Sequence, residues 1–491
     1  MAFRIPRLCL SENHVEIISK LLLIKPENKN KFVRGNKWGQ QSRDMVTESV
    51  LMYKTDKVMN PKEDEKENPE KDPDDYMVHL PYAFARLLLN IPIPSYHPSS
   101  NYNFTGSLYE SQTQVAFDAI EHLEEHGTTT LNLYTSFGKT VLGAYLGAWS
   151  KKITLILYTN TILEPQWLST FRDFTDARIW VVGSKDEPPK EGPHVILCMN
   201  TRFKNIDSEY VKNIGTVVYD EADTFCTPGR VNCLLDISPK YVIAATATLI
   251  RDDGMHQMME AVCGKHLIRK VSKKPFIVYK YRTGIHIEQP KNKAGTTDWS
   301  KVTLAQAASA ERNMLIYSLI VHNRDKKVLV LTWRKDDHVL PLYHWFKNMG
   351  LNVDYMAGTK KNYKDSKVLI GTIAKIGRGF DEKAACDNYN GTRINLLILV
   401  GSTRSVKLLE QVAGRVFRDE FPQIIHFVDE CSISKNHWRV ASPWYKSRNG
   451  DIHEVFSQYY QDNKHIIEDN TTYIENKILE QQLSNFDRFN G

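Results

Sequence analysis

Cysteine is scarce in this chain: seven residues among 491, at Cys9, Cys198, Cys226, Cys233, Cys263, Cys386 and Cys431, with no Cys-x-x-Cys pair among them. That scatter argues against a zinc or iron–sulfur centre and suits a reducing compartment rather than a disulfide-built fold. Long apolar runs are missing too. No stretch approaches the ~18 residues that a membrane span needs, and the opening Met1-Ala-Phe-Arg-Ile-Pro-Arg7 lacks the apolar core of a signal peptide. Charge of one sign is in short supply as well. With a formal net charge of only +6, any surface that binds a polyanion must be locally basic. What is present is 42% hydrophobic residues over a length that can bury two large cores. A soluble intracellular protein with no membrane partner is expected.

The most informative segment is Leu131-Asn-Leu-Tyr-Thr-Ser-Phe-Gly-Lys-Thr-Val141, an apolar approach that runs into a tight turn and then a helical run through Trp149. It reads as a phosphate-binding loop. Backbone N–H groups of Ser136, Phe137 and Gly138 at the start of the helix would cradle phosphate oxygens. Lys139 would reach the β/γ-phosphates, and the Thr140 hydroxyl would ligate Mg²⁺. The usual pattern has glycine where this chain has Leu133, so an ordinary strand–turn–helix fits the loop taken alone. A second element decides the matter: Thr216-Val-Val-Tyr-Asp-Glu-Ala-Asp223, an apolar strand that ends in adjacent acids. A strand buried on both faces has little reason to end so unless something charged sits at its carboxyl edge. Asp220 would hold Mg²⁺ and Glu221 would polarise the water that attacks the γ-phosphate.

Strand and helix patterns alternate twice along the chain. The first series has strands near Thr129–Leu133, Ile153–Tyr158, Ile179–Val182, His194–Met199, Thr216–Tyr219 and Tyr241–Ala245, with an amphipathic segment at Ile162–Phe174. The second has strands near Lys327–Thr332, Val353–Met356, Lys367–Gly371, Asn395–Val400 and Ile424–Val428. Helices are expected there at Arg312–His322, Asp337–Met349 and Val406–Phe417. Such alternation predicts α/β architecture, with two parallel sheets covered on both faces. The expected divisions are an N-terminal accessory domain 1–105, a first sheet domain 106–285, a second 286–445 and a helical extension 446–491 with a helix at Ile466–Phe486. The hinge is expected within Ser272–Gly295. Thr55–Tyr76 carries nine acids, four lysines and three prolines without periodicity, the composition of a disordered loop.

Gln411-Val-Ala-Gly-Arg-Val-Phe-Arg418 is expected on a helix, where Gln411, Arg415 and Arg418 recur at three- and four-residue intervals and share a face. A solvated basic face is the plain alternative. The second series has no Gly-Lys-Thr loop of its own, however, so these arginines have a task only if they complete the first domain's site, as arginine fingers acting in cis.

With these residues in place the chain resembles the superfamily 2 helicases, across roughly residues 105 to 430 and with the motifs in the family's order. Leu108-Tyr-Glu-Ser-Gln112 is similar to the segment upstream of the loop, which implies Gln112 as an adenine reader. Leu163-Glu-Pro-Gln-Trp167 resembles motif Ia and implies contact with a nucleic-acid backbone. Asp220-Glu-Ala-Asp223 resembles motif II, and Ala245-Thr-Ala-Thr248 motif III, the link between the ATP site and the polymer track. Gly371-Thr-Ile-Ala-Lys-Ile-Gly-Arg-Gly-Phe-Asp381 resembles motif V and implies Gly379 and Asp381 at the nucleotide, while Gln411–Arg418 resembles motif VI. The resemblance implies two tandem RecA-like doubly wound domains, ATP with Mg²⁺ as cofactor, a nucleic-acid partner and a monomer. Gln166-Trp167, Thr248-Leu-Ile-Arg-Asp-Asp253 and Arg312-Asn313 are similar to the repair and transcription-initiation helicases. The Phe-Gly-Lys-Thr loop and Leu80-Pro-Tyr-Ala-Phe-Ala85 resemble the transcript-release helicases of poxviruses and other large cytoplasmic DNA viruses. That implies DNA as the track, a role in viral transcription or in repair and replication, RNA polymerase or other transcription proteins as partners, and a place in the host cytoplasm and the virion. Ser136, where the family usually has glycine, and one additional residue before Gly379 are departures.

A polymer track of this kind is backbone-directed, salt-dependent and largely sequence-blind. Candidate contacts are Thr201, Arg202, Arg251, Arg334 and Thr372. Trp333 suits stacking or core packing equally, and Gly358-Thr-Lys-Lys361 suits a basic patch or a solvated loop. An RNA helicase, a double-stranded DNA translocase that remodels complexes without unwinding, and a catalytically dead binding module are the rival readings. The intact Lys139, Glu221 and Arg418 count against the last.

Overall fold

The computed structural model describes residues 1–27, 48–57, 76–134, 136–161, 163–183, 187–247, 249–251, 253–272, 274–293, 295–377 and 380–457. The acid-rich insert beyond residue 57, Gly379, Thr248 and the helix expected at Ile466–Phe486 lie outside them. The described chain forms two compact units that divide between Lys270 and Val271.

The first unit is built on a seven-stranded sheet in the order Leu267–Lys270, Thr128–Leu133, Tyr241–Thr246, Ile214–Asp220, Ile153–Tyr158, Val195–Met199, Ile179–Val181. Every neighbouring pair is parallel. Because side chains alternate across a strand, Val217 and Tyr219 enter one core while Val218 enters the other. Helices Glu110–His126, Lys139–Ser150 and Leu163–Phe174 supply the second of these cores. The first core is closed by the N-terminal residues: Met1, Leu10, Leu22, Leu80 and Tyr82 pack in one cluster with Leu155, Leu157 and Val242. Each such fully buried side chain contributes ~1.5–3 kcal/mol. The segment expected to be a separate accessory domain does carry its own antiparallel sheet, Ala2–Pro6 beside Tyr76–Pro81 beside Lys54–Lys57. It nevertheless belongs to the same compact unit as the first parallel sheet. Leu80-Pro-Tyr-Ala-Phe-Ala85 is part of that joint, with Tyr82 Oη donating to the Lys240 carbonyl at 2.7 Å. Gly127 (φ +75°) passes so close that a Cβ there would lie 2.3 Å from the Tyr82 hydroxyl.

The second unit has its own seven-stranded, all-parallel sheet, in the order Val353–Met356, Val368–Thr372, Val328–Thr332, Leu396–Leu399, Gln423–Glu430, Phe276–His286, Gly450–Phe456. Two of its strands correct the sequence-based divisions. Phe276–His286 lies within the segment expected to be a hinge, and Gly450–Phe456 within the expected helical extension. Lysines and prolines around Phe276 hide the alternation that places Val278 in one core and Ile277, Tyr279 and Tyr281 in the other. Among the described residues no helix is long and apolar enough to cross a membrane.

Candidate nucleotide site

Three adjacent strands of the first sheet deliver the expected groups to one edge. Thr128–Leu133 ends at the glycine-bearing loop, Ile214–Asp220 ends at the acid pair, and Tyr241–Thr246 lies between them. Gly138 has φ +98° and precedes the helix Lys139–Ser150. A Cβ on Gly138 would sit 2.2 Å from Gln112 Nε2, so the position needs glycine for space as well as for conformation. Ser136 adopts φ +77°, the left-handed region in which L-residues carry a steric cost.

Gln112 is buried, and its Nε2 donates to the Phe137 carbonyl at 2.8 Å while its Oε1 accepts from the Tyr109 N–H. It therefore braces the loop from behind. The Phe137 ring meets Tyr134 edge-on at 5.2 Å. Lys139 Nζ donates to the carbonyl of Leu133 at 2.9 Å and lies 3.4 Å from that of Tyr134. Those neutral acceptors are exchangeable for phosphate oxygens without stranding a charge.

Asp220 is buried, with Oδ2 accepting from Trp167 Nε1 at 3.0 Å and Oδ1 from the Glu221 N–H at 2.9 Å. Burial raises its carboxyl pKa above the ordinary value, against the pull of Lys139 and the two hydrogen bonds. A buried carboxylate so penalised calls for a nearby cation. Glu221 takes φ +52°, ψ +49°, a conformation costly for a non-glycine residue and concentrated at functional sites. Thr140 Oγ1 accepts from Gln166 Nε2 at 2.9 Å. Thr140 and Asp220 thus offer hydroxyl and carboxylate oxygens, the donor set of Mg²⁺, which takes one or two protein oxygens and completes its shell with phosphate and water. No cluster of three or more His, Cys, Asp or Glu suited to a metal occurs among the described residues. From the acid pair a link runs to the next strand, where Thr246 Oγ1 donates to Asp223 Oδ1 at 2.8 Å.

In the second unit the expected constellation is rearranged. The helix is Val406–Ala413, with Gly414 as its C-cap, so Gln411 stays helical and half-buried while Arg415 and Arg418 lie in the turns that follow. The three do not share one helical face, because the helix ends at Ala413, before Arg415 and Arg418. Arg415 is buried and donates to the carbonyls of Phe380 at 2.6 Å and Gly377 at 3.2 Å. Its guanidinium therefore fastens the motif V loop. Arg418 pairs with Asp381 at 2.7 Å. Asp381 is held below the ordinary carboxylate range: burial opposes its charge, but Arg418 and the Ala384 N–H outweigh that cost.

Among the polymer-contact candidates, Thr201 is exposed, and Arg202 is half-exposed, donating to the Val182 carbonyl at 3.1 Å. Arg334 is bound to Asp337 at 2.6 Å with its side chain 28% exposed. Arg251 is committed elsewhere: it pairs with Asp253 at 2.9 and 2.6 Å and donates to the Asp223 carbonyl at 2.7 Å. It is a half-buried brace of the loop after motif III. Thr372 is likewise buried at the end of its strand. Trp333 donates to the Ser402 carbonyl and packs edge-on against Trp299, so it belongs to the packing of its unit. Sequence reasoning missed that Gln166 and Trp167 touch Thr140 and Asp220. The available signal was an indole on the buried face of a helix, since a buried N–H needs an acceptor.

A glycine-bearing loop at a helix start, facing an acid pair at the carboxyl edge of a parallel sheet, defines a P-loop nucleotide hydrolase with a second parallel-sheet unit. No family model matches the chain. It is 26% identical over 405 residues to a protein of Invertebrate iridescent virus 6 designated helicase 161L, covering 76% of this chain and 89% of that one. It is 22% identical to the Acanthamoeba polyphaga mimivirus protein L396, designated an ATP-dependent RNA helicase, covering 78% and 76%. It is 26% identical over 145 residues to the DNA 3'-5' helicase XPB of Kineococcus radiotolerans, covering 28% and 26%. With the motifs in order on this fold, these similarities support a superfamily 2 helicase, an enzyme that couples ATP hydrolysis to work on nucleic acid.

Proposed function

We propose that this protein is an ATP-driven motor that tracks along DNA, serving viral transcription through transcript release or else DNA repair and replication. The observation that carries the reading is the convergence of Lys139, Thr140, Asp220 and Glu221 on one sheet edge, with Asp223 wired to Thr246 of the neighbouring strand. In this reading Lys139 and the loop N–H groups bind the phosphates, Thr140 and Asp220 hold Mg²⁺, and Glu221 orients and deprotonates the attacking water. Mg²⁺, when bound, neutralises charge on the phosphate oxygens. Arg418 serves the nucleotide as an arginine finger, Thr201, Arg202 and Arg334 touch the polymer backbone, and RNA polymerase or another transcription protein is the partner. DNA is favoured by the subgroup features Gln166-Trp167 and Arg312-Asn313. RNA is the second reading, favoured by the designation of the mimivirus relative.

ATPase assays with single-stranded DNA, single-stranded RNA and duplexes at low salt test the proposal. Low basal hydrolysis that rises on adding DNA is expected, with strand displacement on tailed substrates setting polarity. If the folded protein ignores every nucleic acid, the motor reading falls.

A further inference from the structure

Two consecutive residues of one helix hold both oxygen ligands of the metal position. On Leu163–Phe174, Gln166 Nε2 donates to Thr140 Oγ1 at 2.9 Å and Trp167 Nε1 donates to Asp220 Oδ2 at 3.0 Å. Trp167 is fully buried, and its indole is wedged against the helix that follows the phosphate loop: a Cβ at Gly143 would come within 2.6 Å of Trp167 Cη2. The indole therefore has no room to turn away. With the Glu221 N–H on Oδ1, each oxygen of Asp220 is fixed by one donor and keeps lone-pair capacity. The Thr140 hydroxyl is fixed in the same way, one lone pair taken by Gln166 and the other left to face a cation. Glu164, in the first turn of the same helix, accepts from the Tyr158 hydroxyl at 2.7 Å and lies 3.8 Å from Arg202.

We propose that Gln166 and Trp167 are positioning residues that set the Mg²⁺ affinity of the nucleotide site, by aiming the Thr140 hydroxyl and the Asp220 carboxylate at one point. This rests on the nucleotide reading given above. Groups that orient metal ligands from behind typically change metal affinity about 10–100-fold when removed. The phosphate contacts of Lys139 and the loop N–H groups do not pass through either residue. Loss of the clamp should consequently weaken Mg²⁺-dependent binding and spare metal-free binding.

The test uses the full chain and a fluorescent ATP analogue, titrated with Mg²⁺ and separately in EDTA. Trp167→Phe keeps the ring bulk and removes the N–H; Gln166→Met keeps the length and removes the amide. The expected result is analogue affinity in EDTA within about twofold of wild type and a half-saturating Mg²⁺ concentration raised about 10–100-fold in each variant. Circular dichroism melts confirm folding. If Trp167→Phe does not fold, Gln166→Met, at a half-buried position, decides alone. A wild-type Mg²⁺ curve in a folded variant overturns the inference, as does an equal loss of affinity with and without metal, which marks a purely structural role. Wild-type protein that binds the analogue no better in Mg²⁺ than in EDTA overturns the nucleotide reading itself, and the inference with it.

Discussion

Ser136 and Glu221 both carry positive φ without being glycine, at +77° and +52°. A left-handed L-residue costs ~1–2 kcal/mol, and a β-branched side chain fits that region worst of all. Ser136→Gly should keep or improve stability and retain nucleotide binding. Ser136→Val should lose about 1–2 kcal/mol in chemical denaturation and bind an ATP analogue poorly. A Val variant as stable and as competent as wild type would show that the loop is not held in this conformation. At Glu221 the chemistry is separable from binding. Glu221→Gln should keep analogue affinity while slowing hydrolysis at least ~10²-fold, the scale of a lost general base; parallel losses of affinity and turnover would mark it as a folding residue. The loop and the acid pair were legible as residues, because phosphate chemistry demands those types in that order. The clamp of Gln166 and Trp167 was not, since nothing in local sequence says which distant oxygen a side chain will meet.

Secondary elements were legible where charged residues and glycine do not interrupt the apolar pattern. Strands such as Ile153–Tyr158 and Val328–Thr332 are short apolar runs with both faces covered, and their limits follow from the sequence. Phe276–His286 and Gly450–Phe456 escaped because they mix lysine, arginine, histidine and glycine into the alternation. The expected helix Asp337–Met349 is preceded by a π turn, Lys335–Val339, whose His338 is buried. The His338 ring bridges Thr332 Oγ1 at 2.6 Å and Asn313 Oδ1 at 2.9 Å, one nitrogen accepting and the other donating. Burial, aided by the Arg312 guanidinium, lowers its pKa from 6.5 to about 3. The unfolded chain therefore takes up this proton first as pH falls. The stabilisation is complete above pH 6.5 and is lost as pH falls toward 3. One such group implies about 2 kcal/mol lost between pH 7.5 and pH 5. His426, at about 3, and His437, at about 4, act in the same direction. Denaturation midpoints measured across that range should decline, and His338→Gln should flatten the slope; a pH-independent midpoint would mean the ring is not held neutral.

At the scale of the whole chain, two parallel-sheet units are present, and among the described residues only the first carries a phosphate loop. Arg418→Ala in the full chain should cut nucleic-acid-stimulated hydrolysis on the order of 10³-fold if that arginine serves the nucleotide; normal stimulated turnover would remove it from the mechanism. Raising salt should abolish stimulation before basal hydrolysis, because several polymer phosphates are released together while buried contacts are screened less.

The joint between the N-terminal residues and the first sheet bears on how the chain is made. Ala2 donates its N–H to the carbonyl of Ile237 at 2.7 Å, and Tyr82 closes on Lys240. During synthesis the earliest apolar residues must therefore wait for partners more than two hundred positions later. Contacts of such sequence separation are slow to form and leave sticky surface uncovered meanwhile. The joint can close only once the strand Tyr241–Thr246 has been made, so the sheet edge that carries the nucleotide groups is among the last parts of this unit to be set.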